Sequence, residues 1–373
     1  MVKKIANKKK KSIKNQPLKK EKEKLIKEIL KLCSKKNKEV LNRISEYIVQ
    51  RKNNLKIKIK NYKLFKDFNA HPAGIECITE LEPGYLASCG KDKKIIIYKP
   101  KTFEKHFEVL DNTIINYIIY SKEKKIISAT DEDIKIYSIN LTLKQSFLYQ
   151  KLKYHENIIG KVIELSNGNI ASCSYDGTIN IYYKERRYYK LNKNLTFSKY
   201  PIECIIETDT KEICGSSSYQ YKLGFWDIDN LELICEMTTY VNCGSGVLCM
   251  AGKKRMIVMN TFGCGYSIIN IENHEIIITL NLEDKFGFGI ALSDGSLLLS
   301  KIKNDNIYYL EQFHYDYDSE RIKKIKKIKT NHCQNICSLF EMKDHTIISA
   351  CFNGGFFSGL KAGNICIWRC EQI

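Results

Sequence analysis

Residues that do chemistry together recur in this chain at fixed spacing. His71, Ser88, Asp92 and Tyr98 are separated by 17, 4 and 6 residues, and His155, Ser172, Asp176 and Tyr182 repeat those intervals. A Ser, a His and an Asp are the parts of a nucleophilic triad, in which the imidazole takes the hydroxyl proton and the carboxylate orients the imidazole. A catalytic centre needs one such set. Here there are two, 84 residues apart, and a partial third: His332 and Ser349, again 17 apart, with Asn353 in the Asp place. Multiplication at constant spacing points to a structural part inside a repeat, so the triad reading is rejected. The glycines of FGCGYS and FGFGIA lie in apolar, strand-like runs, not in a strand-to-helix phosphate loop. The expectation is a protein that is not an enzyme and carries no cofactor.

Metal chemistry is weighed on the 15 cysteines. Most sit in apolar runs such as IECI and LASC, where Cys acts as a small core hydrophobe. HCQNIC (332–337) and CIWRC (366–370) lack the CxxC spacing of a zinc site. No secretory h-region opens the chain, and no run of about 20 apolar residues occurs. A reducing compartment, cytoplasmic or nuclear, and no transmembrane segment are therefore expected.

The elements that must hold these residues are strands. A small-residue strand, a polar turn and a strand ending in an aromatic recur along the chain. GYLASCGKDKKIIIY ends at Tyr98, KIISATDEDIKIY at Tyr137, NIASCSYDGTINIY at Tyr182 and EICGSSSYQYKLGFW at Trp226. Weaker copies end at Ile269 and Tyr309, and TIISACFNGGFFSGLKAGNICIW ends at Trp368. The intervals are 39, 45, 44, 43, 40 and 59 residues, the last lengthened by an insertion before Trp368. A period near 40–45 in strand-only units marks propeller blades. Both tryptophans of the chain fall in the aromatic slot, and Trp226-Asp227 is a WD dipeptide.

On these motifs the sequence resembles the WD40-repeat family over about residues 61–373, with Tyr in place of Trp in most copies. The resemblance implies an all-β, seven-bladed β-propeller. It also implies that His, Ser, Asp and the aromatic form a hydrogen-bonded chain within a blade, although a Tyr hydroxyl cannot copy the direction of an indole N–H. Closure is expected from strand 61–68, which supplies the outer strand that the last blade lacks and removes an open edge. In the family, the residue before the turn Asp projects onto the partner-binding face. The matching positions are Lys91, Tyr175, Phe352 (before Asn353) and Gln220.

The formal charge of +19 is concentrated in an arm. Residues 1–60 carry 22 Lys/Arg against 5 Glu; the remainder carries 39 against 37, a net of +2. Residues 1–20 read as a disordered basic tail. Leu25, Ile29, Leu32, Leu41, Ile44 and Ile48 recur at helical spacing, so 21–52 reads as an amphipathic helical segment. The run Lys8, Lys9, Lys10 and Lys11 suits contact with RNA, a nuclear-import signal, an anionic membrane surface or a solvated tail. Two further basic stretches, YYKERRYYK (182–190) with Arg186 and Arg187, and ERIKKIKKIKTNH (320–332), read as outermost strands; the first mixes Arg with Tyr in a way that can also stack RNA bases. The functional expectation is a WD40-type scaffold with protein partners, monomeric within a larger complex. The alternatives are an RNA-associated factor using the arm, or a substrate receptor of an adaptor complex.

Overall fold

The computed structural model describes residues 61–371 apart from 83, 197, 218–221, 240–246, 251–254, 260–264, 282–284, 304–306, 317–320, 333–335 and 352–362. The arm, with Lys8 to Lys11 and the 21–52 stripe, lies outside the described residues, as do Gln220, Phe352 and Asn353. No helix among the described residues is long and apolar enough to cross a membrane.

Seven four-stranded antiparallel sheets account for the described chain. Blade 1 comprises β2 (Ile75–Glu80), β3 (Leu86–Gly90), β4 (Lys94–Tyr98) and β5 (Lys105–Leu110). Blades 2 to 6 follow at 115–153, 159–196, 202–238, 247–281 and 285–329. Each runs from the inside outward as strands a, b, c and d. Strand a of every blade lies against strand a of the next, and the seventh lies against the first. The fold is a closed seven-bladed propeller, all-β in its described residues.

Blade 7 is built from both ends of the ring. Its strands are β26 (Ile336–Glu341), β27 (Ile347–Cys351), β28 (Gly363–Glu371) and, outermost, β1 (Asn61–His71). The β1–β28 register runs from Asn61↔Glu371 to His71↔Gly363. Without β1, the edge of β28 would present unpaired N–H and C=O groups to solvent.

In blades 1, 3 and 7 strand b is short and carries small residues because it is buried on both faces. LASCG, IASCS and IISAC are buried along their whole length. At Gly215, in strand b of blade 4, a Cβ would come within 2.7 Å of Ile179 Cδ1 of blade 3. The apolar residues form slices between neighbouring blades; one unites Cys173, Ile179 and Ile181 with Ile202, Ile213 and Trp226. Burial of this kind contributes roughly 25 cal/mol per Å² of apolar surface, and here it is made blade against blade.

The strand registers fix the aromatic slot. Leu86↔Tyr98, Ile126↔Tyr137, Ile170↔Tyr182, Ile213↔Trp226 and Ile347↔Trp368 are equivalent pairs at the start of strand b. Blade 6 differs from the sequence expectation. Its slot is filled by Phe313, opposite Leu297, and Tyr309 pairs instead with Lys301 further along the hairpin. The cause is length: β23 (Ser296–Lys303) and β24 (Ile307–Asp316) have 8 and 10 residues, so a count based on a five-residue strand stops short. The stretch 182–190 is corrected too. It is a hairpin joining strands c and d of blade 3, with Arg186 and Arg187 at its tip, rather than one outer strand.

A blade-to-blade tie recurs at the end of strand a. Glu80, Glu164, Glu207 and Glu341 each close that strand, and each accepts a backbone N–H from the turn of the preceding blade: Lys343, Lys122, Ser166 and Ser293, at 2.9, 2.9, 2.6 and 2.5 Å. In blade 2 the slot holds Tyr120, and the polarity reverses: its hydroxyl donates to Glu82 Oε1 at 2.9 Å.

Candidate functional site

In blade 1 the ring of His71 stands between its partners. Nδ1 is 2.8 Å from Asp92 Oδ1, Nε2 is 2.7 Å from Ser88 Oγ, and Ser88 Oγ is 3.1 Å from Tyr98 OH. One proton order is consistent with all three contacts: Tyr98 O–H donates to Ser88, Ser88 O–H to His71 Nε2, and His71 Nδ1–H to Asp92 Oδ1. Blade 3 repeats the residues, with Asp176 and Ser172 both 2.8 Å from His155, but there Ser172 Oγ donates to Tyr182 OH at 3.4 Å. The His stands at the end of the previous outer strand (His71) or in the loop just after it (His155), the Asp in the b–c turn and the Ser on strand b. The chain of bonds therefore fixes a loop, a turn and a strand relative to one another.

The two copies differ in quality. Asp176 also accepts from the Thr178 hydroxyl at 2.7 Å and from the backbone of Thr178 and Glu156 at 2.9 and 3.0 Å. Burial on its own would raise its pKa, but the hydrogen bonds from His155 and Thr178 outweigh it and hold the carboxyl well below the usual range. In blade 1 the Thr is replaced by Lys94, whose ammonium turns to Glu108 at 3.1 Å. Asp92 Oδ2 is then buried without a hydrogen-bond partner. Burial pushes the Tyr182 hydroxyl up to about 12, so it stays protonated.

Blade 7 has the indole version. His332 Nε2 is 2.7 Å from Ser349 Oγ, which accepts from Trp368 Nε1 at 2.9 Å. Burial pushes the His332 pKa down to about 4, against a weak upward pull from Asp67. A neutral ring fits, because Nε2 must accept from Ser349 once the Ser oxygen is taken by the indole. A depressed histidine stabilises the fold above its unfolded pKa and loses that contribution as pH falls toward the folded one. Wild-type protein should therefore lose about 3 kcal/mol through this group between pH 6.5 and 4. Urea melts of His332→Gln against wild type across that window measure it. Parallel stability–pH profiles would refute the assignment.

Ser88, Ser172 and Ser349 are each 0% exposed. Each hydroxyl is thus sealed between strands, and its bonds run to the strand, turn and loop around it.

Blade 2 carries a different set that sequence reading missed. Asp111 stands 17 residues before Ser128, in the histidine's place. Its carboxylate pairs with the Lys135 ammonium and accepts from Tyr137 OH at 2.6 Å. Lys135 also donates to Asn112 Oδ1 at 2.8 Å and Thr113 Oγ1 at 3.0 Å. Burial alone would raise the Asp111 pKa; the bonds from Lys135 and Tyr137 hold it below the usual carboxylate range. The 17-residue interval was the signal available in the sequence.

The cysteines act as donors and fillers. The Cys337 thiol donates to Ile75 O at 3.0 Å, and that of Cys366 to Asn364 Oδ1 at 3.1 Å. Among the described residues no cluster of three or more His, Cys, Asp or Glu could hold a metal ion.

The antiparallel order puts the b–c turns and d–a loops on one face and the a–b and c–d turns on the other. Tyr175, at the b–c turn of blade 3, is 39% exposed. Ile158 and Tyr200, both exposed, lie on the loops beside it, whereas the Tyr154 ring, 5.9 Å from that of Tyr182, lies along strand c. The Tyr175 N–H donates to Ile158 O at 2.9 Å, and a Cβ at Gly177 would lie 3.3 Å from Tyr200 O, so the loops are contiguous. Lys91 occupies the matching turn of blade 1, 3.8 Å from Glu76, whose pKa burial pushes up to about 7. Arg186 and Arg187 lie on the opposite face, at the c–d turn of blade 3.

Among solved structures, the chain is similar to the WD40 β-propeller domain of Doa1, with a TM-score of 0.66 and 15% identity over 84% of this chain and 98% of that one. It is similar also to the WD40 repeats of RRP9, with a TM-score of 0.68 and 10% identity over 83% of this chain and 100% of that one. No family model and no curated protein matches the sequence. The fold is that of WD40-type propellers.

Proposed function

We propose that this propeller is a non-catalytic scaffold that docks a protein partner on the face of the b–c turns and d–a loops. The observation that carries it is the set of Ile158, Tyr175 and Tyr200 on adjoining loops, which are 38, 39 and 44% exposed. Contiguous exposed apolar groups mark interaction surfaces on soluble proteins, and aromatic side chains are the common anchors. The polar networks fix the loops beneath the patch, so little ordering entropy remains to be lost on binding. The free cysteines Cys77, Cys89, Cys173, Cys204, Cys214, Cys351 and Cys366 are buried, which fits a reducing compartment, cytoplasmic or nuclear. On this reading the chain works as a monomer within a larger complex.

The test is quantitative affinity purification of full-length wild type against the double variant Ile158→Ser, Tyr175→Ser. The variant should lose a defined set of co-purifying proteins while its stability stays within about 0.5 kcal/mol, as at a surface site. Recovery of the same proteins by both would place the partner surface elsewhere.

A further inference from the structure

We infer that the c–d hairpin of blade 3, together with the outer strand of blade 2, forms a contact site for single-stranded nucleic acid, on the face opposite the proposed partner patch. Tyr149 lies on β9 (Gln145–Lys153) and Tyr188 opens β13 (Tyr188–Thr196). Their rings stack, with centroids 5.5 Å apart and planes at 17°. The Lys125 ammonium stands 3.6 Å from the Tyr149 centroid. A cation thus backs a two-ring column whose other member, Tyr188, is 54% exposed.

The column is held in place before any ligand arrives. The Tyr149 hydroxyl donates to Arg187 O at 2.8 Å. The Gln150 carboxamide donates to Tyr189 O at 2.7 Å and accepts from Tyr189 N at 2.9 Å, tying the hairpin to the neighbouring blade. A buried tyrosine pair would need no further account. An exposed ring, fixed at the end of a stack, offers a flat apolar face of the size of a base, and base–aromatic stacking tolerates any sequence.

Charge completes the site. Lys125 and Lys184 share Glu123, and Lys190 pairs with Glu185. Arg186 and Arg187 are both exposed and form no ion pair among the described residues. Five cations therefore stand against Glu123 and Glu185, with Glu164 also close to Tyr189, in a body whose sequence is nearly neutral. Unpaired guanidinium groups beside a ring suit phosphates beside a base. An acidic protein segment would satisfy the arginines but leave the ring face unused. A duplex keeps its bases stacked inside and cannot lay one on Tyr188.

The test uses full-length protein, a labelled 12-mer of uridine, an RNA duplex of equal length and a 12-mer of glutamate as competitor. Tyr188→Ala should weaken single-strand binding at least five-fold and leave duplex binding unchanged. The double variant Arg186→Ala, Arg187→Ala should reduce the slope of log K against log[salt] for the single strand by about 1.4. Ultraviolet cross-linking should map bound uridine to the peptides bearing Tyr149 and Tyr188. Thermal melts of both variants should match wild type. Single-strand affinity unmoved by Tyr188→Ala, cross-links confined to residues 1–60, or competition by the glutamate 12-mer equal to that by uridine would each overturn the assignment.

Discussion

A protein lacking residues 61–71 is expected to fail to form a closed ring. The deletion removes β1, and with it the whole outer pairing of β28. It also removes Tyr62, 3% exposed in the slice between blades 6 and 7, and Phe68 from the slice between blades 7 and 1. His71 is lost as well, so Ser88 and Asp92 lose the group that joins them. A folded domain is separated from its unfolded chain by only roughly 5–15 kcal/mol, so losing all of these contacts at once is expected to unfold the ring. Circular dichroism and size-exclusion chromatography should show loss of the cooperative melt and aggregation through the bared strand edge. The single variant Tyr62→Ala should stay folded but lose about 3 kcal/mol, as for a buried aromatic cut back to Ala. A deletion protein that melts cooperatively within a few degrees of the intact chain would show that β1 is an ornament and that the ring closes on β28 alone.

The repeat that gives the ring was legible because its marks are physical necessities. Strand b must be small where blades press on both of its faces, so LASC, ISA and IASC recur. Strand c must end in a large ring that covers the start of strand b, so Tyr98, Tyr137, Tyr182, Trp226 and Trp368 fall at repeat spacing. Blade 6 escaped correct registration for an equally physical reason. Its hairpin is longer, and lengthening a hairpin moves the aromatic slot along the sequence without moving it in space, from Tyr309 to Phe313. The glutamate ties at the end of strand a went unread because their partners are backbone N–H groups, which any residue supplies. Only the Glu is visible in a sequence, and a Glu ending an amphipathic strand looks like an ordinary solvated residue. The stacked pair of Tyr149 and Tyr188 was hidden in the same way: the two lie on different blades, and only the hairpin half of the site appears in the run YYKERRYYK.

Blade 2 shows how the same joint is made with other chemistry. A search for His, Ser and Asp passes over it, since Asp111 stands where the His would be and Lys135 enters from strand c. The side chains of Asp111 and Lys135 are 1% and 4% exposed, so this is an ion pair taken out of water. Such a pair is worth little against a well-packed apolar pair, yet breaking it from one side leaves a buried charge without compensation and costs about 3–5 kcal/mol. Asp111→Asn keeps the shape and most of the hydrogen-bonding capacity but strands the Lys135 ammonium; it is expected to fall in that range. Lys135→Met should cost less, because the carboxylate keeps the Tyr137 hydroxyl and the Thr113 N–H, the latter at 3.0 Å. The double variant should lose clearly less than the sum of the singles, with a coupling above about 1 kcal/mol, since neither residual group is then stranded. Acid should act in the same direction. The Asp111 carboxyl is held below its ordinary range, so its contribution is present above the unfolded value near pH 4 and is lost as pH falls through the folded one. Urea melts of the four proteins at pH 7 measure the cycle. Additive losses would mean that the two groups do not sense each other and that Tyr137 and Thr113 alone hold the turn of blade 2.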